Sequence, residues 1–375
     1  MNPSAQSRKA PTPPWTIRLA TVAGIPIRIH ASFLLLLVFA AFAGDHSRIL
    51  PMTGFLAAIF FCVILHELGH CLVALRYGIP VSEITLYPIG GIANIEKRPT
   101  PPQELWIALA GPAVNLLIAG LLFLVVPISL LRSVGLTFNV ATLQGFGVGL
   151  LAANLSLAAF NMVPAFPMDG GRVLRSLLAL AMKEERATII AAQVGQVLAV
   201  CFAFFALMHG LFILLITAYF VYSGAASEVS SYREAMLASG LSVRQAMLTR
   251  MATLSVGDTL KQAAELLLDT TQHDFPVLHG DSLTGLLTRR DLLQGLAKVG
   301  PNGYVAGSMD RDPVTAGPED DLADALNTMS DQGGPLLVID PADGHLLGMV
   351  TADNVQELFA VRRIASATAN AMNQR

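Results

Sequence analysis

Long apolar runs separated by short polar stretches fill the first 226 residues, near 29–44, 53–77, 104–131, 141–163, 187–209 and 210–226. A helix needs roughly 20 apolar residues to cross a bilayer, so the pattern predicts six spanning helices, the first one short and the last two joined by almost nothing. The period changes between the second and third runs. There Val81 to Ala93 alternates and is β-prone up to Pro88 and the pair Gly90 and Gly91. A strand facing lipid would leave backbone groups unpaired, so this segment must lie against protein, water or another extended chain. An unpaired edge there could accept a substrate in strand form.

Beyond residue 226 the long apolar runs stop. A polar linker is expected over 227–240, followed by two similar units, Val243 to about Leu296 and Val305 to about Phe359. Each has a helix with apolar positions at 3–4 spacing (Leu260 to Leu268, Leu322 to Met329). Two β runs follow, Phe275 to Leu278 with Gly285 to Thr288, and Pro335 to Ile339 with Gly348 to Thr351, before a last helix. The expected division is an N-terminal segment 1–26, a membrane domain 27–226, the linker, repeats at 241–298 and 303–361, and a tail 362–375. The fold class is thus a polytopic α-helical membrane protein followed by a soluble α/β pair.

Composition sharpens this division. The chain is 53% hydrophobic and 14% charged, against roughly a quarter charged in a soluble domain. Residues 1–226 hold 13 Lys+Arg against 8 Asp+Glu, a net of +5, and residues 227–375 hold 11 against 19, a net of −8. Positive residues flank alternate ends of the runs: Arg8, Lys9 and Arg18, then Arg76, then Lys97 and Arg98, then Arg172, Arg175 and Lys183. By the positive-inside rule both the N-terminus and the acidic half are expected in the cytoplasm of a cell with this protein in its inner or plasma membrane. No nucleic-acid partner is expected. Cys62, Cys71 and Cys201 lie in apolar segments without paired spacing, which predicts buried thiols rather than disulfides or a cysteine metal site.

The candidate chemistry sits inside the second apolar run, as His66-Glu67-Leu68-Gly69-His70. On a helix, His66 and His70 at i and i+4 share one face and can bind a single zinc, with Glu67 beside them as a base. A catalytic zinc needs a third protein ligand and one open position. Apart from Glu67, the acid best suited is Asp169, in Asn161-Met162-Val163-Pro164-Ala165-Phe166-Pro167-Met168-Asp169-Gly170-Gly171. Its prolines and glycines break the fourth helix and let a turn aim the carboxylate at the second. Gly69 would allow a second helix or a substrate to approach closely. Asn115 and Asn154 read as interhelical hydrogen-bonding residues.

With these motifs, residues 50–180 resemble the site-2 proteases, zinc metalloproteases that cut transmembrane substrates within the bilayer. The family's His-Glu-x-x-His matches residues 66–70, and its Asn-x-x-Pro…Asp-Gly matches Asn161, Pro164, Asp169 and Gly170; Ala110 to Asn115 resembles a further family segment. The resemblance implies His66, His70 and Asp169 as zinc ligands, Glu67 as the base that activates water, and Asn161 as a group that helps hold the oxyanion. It also implies a membrane-spanning or membrane-bound regulatory protein as substrate. The acidic half resembles a pair of cystathionine-β-synthase (CBS) domains, which implies homodimerisation and an adenine-nucleotide site. Thr288 and Asp291 match the nucleotide signature, as do Thr351 and Asn354, although Asn354 stands where the pattern prefers Asp. A CBS-regulated transporter or a non-catalytic scaffold is the alternative. A transporter, however, has no reason for His-Glu-x-x-His together with a separate Asp-Gly break.

Overall fold

The computed structural model describes residues 15–33, 49–87, 90–95, 98–126 and 142–373. Its contacts divide the chain into two compact units, one over Thr12–Tyr232 and one over Arg233–Arg375.

Among the described residues of the first unit, β1 (Thr16–Val22) and β2 (Ile25–His30) precede α1 (Ile49–Arg76), β3 (Val81–Tyr87), β4 (Gly90–Ile95), α2 (Pro101–Val125) and α3 (Leu143–Asn161). The short helix α4 (Asp169–Ala179) comes next, then α5 (Glu184–His209) and α6 (Phe212–Ala238). Five of these helices, α1, α2, α3, α5 and α6, are long and apolar enough to cross a membrane. Most of the run at 29–44, expected as a sixth span, lies outside the described residues.

The start of that run departs from expectation. Residues 25–30 form a strand, and the N-terminal segment before residue 27 supplies its partner, so 16–30 is a hairpin. Ile25, Ile27 and Ile29 alternate with Pro26, Arg28 and His30 at the β period, and Ala23 (φ 51°) with Gly24 (φ 84°) provides the two left-handed residues that a tight hairpin turn requires. β2 then pairs in parallel with β3, and β3 pairs antiparallel with β4, giving a sheet of order β1-β2-β3-β4. Arg28 Nε meets Glu83 Oε2 at 2.8 Å across the β2–β3 seam. One face of the sheet, through Ile25, Ile27 and Ile84, packs on Leu68 and Cys71 of α1, the turns that carry the two histidines.

The helix ends follow local chemistry. α2 opens with Pro101 and Pro102, whose missing N–H groups cost nothing in a first turn, and the Gln103 side chain accepts the Thr100 N–H at 3.0 Å. α5 stops at Gly210, which is left-handed (φ 65°). The polar linker expected over 227–240 is instead mostly helix, because α6 continues without a break to Ala238. Its Ala, Glu, Met and Arg residues are good helix formers, and a polar helix surface reads as a linker by hydropathy alone. Of the three cysteines, Cys62 and Cys71 are buried as expected, whereas Cys201 is exposed on α5.

The second unit contains α7 (Val243–Ala246), β5 (Leu254–Ser255), α8 (Leu260–Asp269), β6 (Phe275–His279), β7 (Ser282–Leu287) and α9 (Arg289–Lys298). It repeats the plan with β8 (Thr315–Ala316), α10 (Leu322–Gln332), β9 (Leu336–Ile339), β10 (Leu346–Val350) and α11 (Ala352–Asn373). In each repeat the first two strands run parallel and the last two antiparallel. The opening segments are exchanged. Val243 and Ala246 pack in the core of the second repeat, and Leu248 bridges to Met349 of β10. Val305 packs in the core of the first, and Asp310 bridges to Leu286 of β7. Gly285 and Gly348 permit these crossings: a Cβ on Gly348 would lie 2.6 Å from the Leu248 carbonyl oxygen, and one on Gly285 would clash with that of Asp310. Leu286, Leu337 and Met349 join the two repeats.

Phe275 is fully buried in the first repeat's core, whereas Val299 is exposed. Phe275→Ala is therefore expected to cost about 3–5 kcal/mol and Val299→Ala less than about 0.5 kcal/mol. Denaturant midpoints of the second unit, read by limited proteolysis of the full chain, check the contrast.

Candidate metal centre

Three elements supply one cluster. His66 and His70 project from α1, and both are buried. α2 crosses close to this stretch because glycines face it from both sides. A Cβ on Gly69 would lie 2.9 Å from Val114 Cγ2 and 3.0 Å from the Ala110 carbonyl oxygen, so the partner that Gly69 admits is a helix. A Cβ on Gly111 would lie 2.6 Å from His66 Nε2 and would overlap His70 Nε2. Asp169 arrives from the other direction, as the first residue of α4, after residues 162–168 leave the helical path at the end of α3. Gly170 and Gly171 pack on that turn's own backbone, with a Gly170 Cβ position 2.5 Å from the Met162 carbonyl oxygen and a Gly171 Cβ position 2.6 Å from Phe166 N. Side chains there would push α4, and Asp169 with it, away from α1.

The ligand atoms converge. His66 Nε2 lies 3.2 Å and His70 Nε2 3.3 Å from Asp169 Oδ2, and the two Nε2 atoms are 3.1 Å apart. His70 Nδ1 lies 2.6 Å from the Ile107 carbonyl oxygen on α2. That bond requires the proton on Nδ1 and leaves the Nε2 lone pair pointing into the cluster. Donors bonded to one tetrahedral zinc at 2.0–2.1 Å sit about 3.3 Å apart. The spacing, the tautomer and the two-nitrogen, one-oxygen donor set all fit zinc. Neighbouring lone pairs at this separation repel unless a cation or a shared proton lies between them.

Glu67, next to His66, lies under β4. A Cβ on Gly91 would fall 2.5 Å from Glu67 Cγ and 3.1 Å from its Oε1, so only glycine lets the strand pass this close to the carboxylate. Asn161 ends α3, half-buried, and enters none of the cluster's hydrogen bonds or ion pairs. Asn154 meets the expectation of an interhelical contact by donating to Cys62 Sγ of α1 at 3.4 Å, and it also donates to the Leu150 carbonyl oxygen of its own helix at 2.9 Å. Asn115 does not: it is 1% exposed, and both its amide atoms lack a partner among the described residues.

A second buried polar group escaped the sequence reading. Arg175 was expected as an interfacial flank; instead it is buried on α4 and paired with Glu104 of α2 and Glu228 of α6. Its Nε donates to Glu104 Oε2 at 3.1 Å, and Ser176 Oγ donates to the same oxygen at 3.0 Å. The available signal was the pair of acids, Glu104 and Glu228, inside or beside apolar runs.

In the second unit, Thr288 caps α9, accepting the Asp291 N–H at 3.1 Å and donating its hydroxyl to Asp291 Oδ2 at 2.5 Å. Thr351 and Asn354 repeat the arrangement at the start of α11. Asp274 lies alongside, accepting the Arg289 N–H at 3.1 Å; burial pushes its carboxyl above the usual range, against the pull of that bond.

Comparison with known proteins agrees with this layout. The pattern of peptidase family M50 matches residues 54–202, and the CBS domain matches 243–298 and 305–360. Zinc metalloprotease MJ0392 of Methanocaldococcus jannaschii is 29% identical over 92% of this chain and 97% of its own. Stage IV sporulation protein FB of Bacillus subtilis is 26% identical over 36% of this chain and 45% of its own. The solved structure of the site-2 protease from Methanocaldococcus jannaschii is 35% identical, covering 57% of this chain and 95% of that one, with a TM-score of 0.44. The chain belongs to peptidase family M50, the site-2 protease family of zinc metalloendopeptidases, and carries a CBS pair behind its protease domain.

Proposed function

We propose that this chain hydrolyses peptide bonds of membrane-spanning or membrane-associated regulatory proteins within the bilayer, releasing the regulator by proteolysis. The observation that carries the reading is the convergence of His66 Nε2, His70 Nε2 and Asp169 Oδ2 at 3.1–3.3 Å among apolar helices, with Glu67 adjacent. His66, His70 and Asp169 would hold a zinc ion, which when bound would supply a Lewis acid and a water of pKa about 7. Glu67 takes the proton from the attacking water and delivers it to the leaving nitrogen. Asn161, the last residue of the third long helix, is assigned to the oxyanion.

A transmembrane substrate must unwind before its carbonyls are open to attack, and the unwound segment then has backbone groups to satisfy. β4 supports a strand-addition role. Its only strand partner among the described residues is β3, and Gly91 brings it against Glu67. A substrate strand paired to the outer edge of β4 is presented along the catalytic carboxylate.

The CBS pair is assigned a cytoplasmic, homodimerising role in which an adenine nucleotide gates proteolysis, with the N-terminus on the same side of the cell membrane. Thr288 and Asp291, with Thr351 and Asn354, are the nucleotide-binding candidates. A bound nucleotide shifts the pair between arrangements only by its differential affinity for them.

Glu67→Gln is expected to retain zinc while cleavage of a membrane-embedded substrate falls by at least about 10²–10⁴-fold. His66→Ala and Asp169→Ala lose both zinc and activity. Metal analysis with a cleavage assay on the purified chain tests this, and cleavage near wild type in Glu67→Gln would remove Glu67 as the base.

For the nucleotide site, Asp291→Ala should weaken binding more than Asn354→Ala, because a carboxylate accepts a stronger hydrogen bond than an amide. Calorimetry of the full chain in detergent with ATP, ADP and AMP measures the difference. No binding at millimolar nucleotide would reduce the pair to a dimerisation surface.

A further inference from the structure

Of the three ligand-bearing positions, Asp169 has the least direct support. His66 and His70 share one long helix, and His70 is further fixed by the Ile107 carbonyl. Asp169 opens an 11-residue helix whose next two residues are glycines, which offer no side chain to hold it. Beyond the close packing of Gly170 and Gly171 on the preceding turn and of Leu174 in an apolar cluster, the polar grip on α4 comes at Arg175, about 9 Å along the axis at 1.5 Å per residue. There Arg175 and Ser176 both bind Glu104 in the first turn of α2, and Arg175 also binds Glu228 of α6. Arg175 and Glu104 side chains are only 9% and 11% exposed, so water competes little for the pair.

Glu104 is not an arbitrary anchor. Glu104, Ile107 and Gly111 lie at i, i+3 and i+7 and are all buried on one face of α2. Glu104 holds the helix that carries Asp169, Ile107 orients His70, and Gly111 makes room for both imidazoles. One rigid helix face therefore references all three ligands to a common frame.

Resting on the reading of His66, His70 and Asp169 as the zinc ligands, we infer that Arg175 is a positioning residue, whose two-point grip on Glu104 sets where α4 delivers the Asp169 carboxylate. The planar guanidinium fixes orientation as well as distance when Nε and a terminal nitrogen bind the two oxygens of one carboxylate; a lysine supplies charge without that geometry. Ligand displacements of about half an ångström are enough to impair a metal site.

The test uses the full-length, zinc-loaded chain in detergent and follows zinc transfer to a chromogenic chelator, thermal stability, and kcat and KM for cleavage. Arg175→Lys and Arg175→Met should release zinc about 10–100-fold faster, as found for residues that orient metal ligands from outside, with kcat lowered and KM little changed. Arg175→Met alone leaves the Glu104 charge buried without its partner and is free to fail by misfolding. The double variant Glu104→Gln with Arg175→Met removes both charges, and its stability should return toward wild type while rapid zinc release persists. Zinc retention recovering together with stability would overturn the positioning role and leave Arg175 a structural ion pair. Asp169→Ala is the control for the underlying reading. Wild-type zinc retention in that variant would overturn the ligand set, whereas zinc loss there with normal retention in the double variant would overturn this inference alone.

Discussion

The first unit is organised by a repulsion that has to be neutralised. Two imidazole nitrogens and a carboxylate oxygen meet at 3.1–3.3 Å inside a bundle of apolar helices. In such surroundings polar groups are costly unless partnered, and three electron-rich atoms facing one another are costlier still. A divalent cation converts this cost into binding. Much of the nearby backbone geometry then has a reason: Gly69 and Gly111 let α2 approach, and Gly170 and Gly171 let the turn after α3 fold back tightly.

The same centre explains the position of the sheet. β2 and β3 pack on the turn of α1 that carries the histidines, and β4 crosses Glu67 at Gly91. The sheet satisfies its own hydrogen bonds between neighbouring strands and is covered by α1 on one face, the conditions under which strand backbone is tolerated among apolar helices. The outer edge of β4 lies beside Glu67, and in the proposed mechanism this would couple holding an extended segment to cutting it.

Much of this was legible in the sequence, for identifiable reasons. His66, Glu67 and His70 are polar residues in an apolar run, where each must have a purpose, and the Pro and Gly residues around Asp169, just past the fourth run, announce the turn that aims it. The β1–β2 hairpin was obscured because Ile25, Ile27 and Ile29 lead directly into an apolar run, so hydropathy absorbed them into a span. The extension of α6 to Ala238 was missed because helix propensity without hydrophobicity resembles a linker. Arg175 was misread because a cation near a span normally marks an interface, and only the fold brings Glu104 and Glu228 to it. The exchanged openings of the two repeats are pairings between distant segments that no local period encodes. Thr288 and Thr351 remain double-edged, since the geometry that suits a phosphate also caps a helix.

The central claim is that His66, His70 and Asp169 together hold one zinc. X-ray absorption at the zinc edge, on the purified full-length chain, tests it most directly. The account predicts one zinc per chain with a shell of nitrogen and oxygen donors at about 2.0–2.2 Å, including imidazole scattering from two histidines, and loss of that shell in Asp169→Ala. A sulfur shell at about 2.3 Å, or an unchanged spectrum in Asp169→Ala, would contradict it.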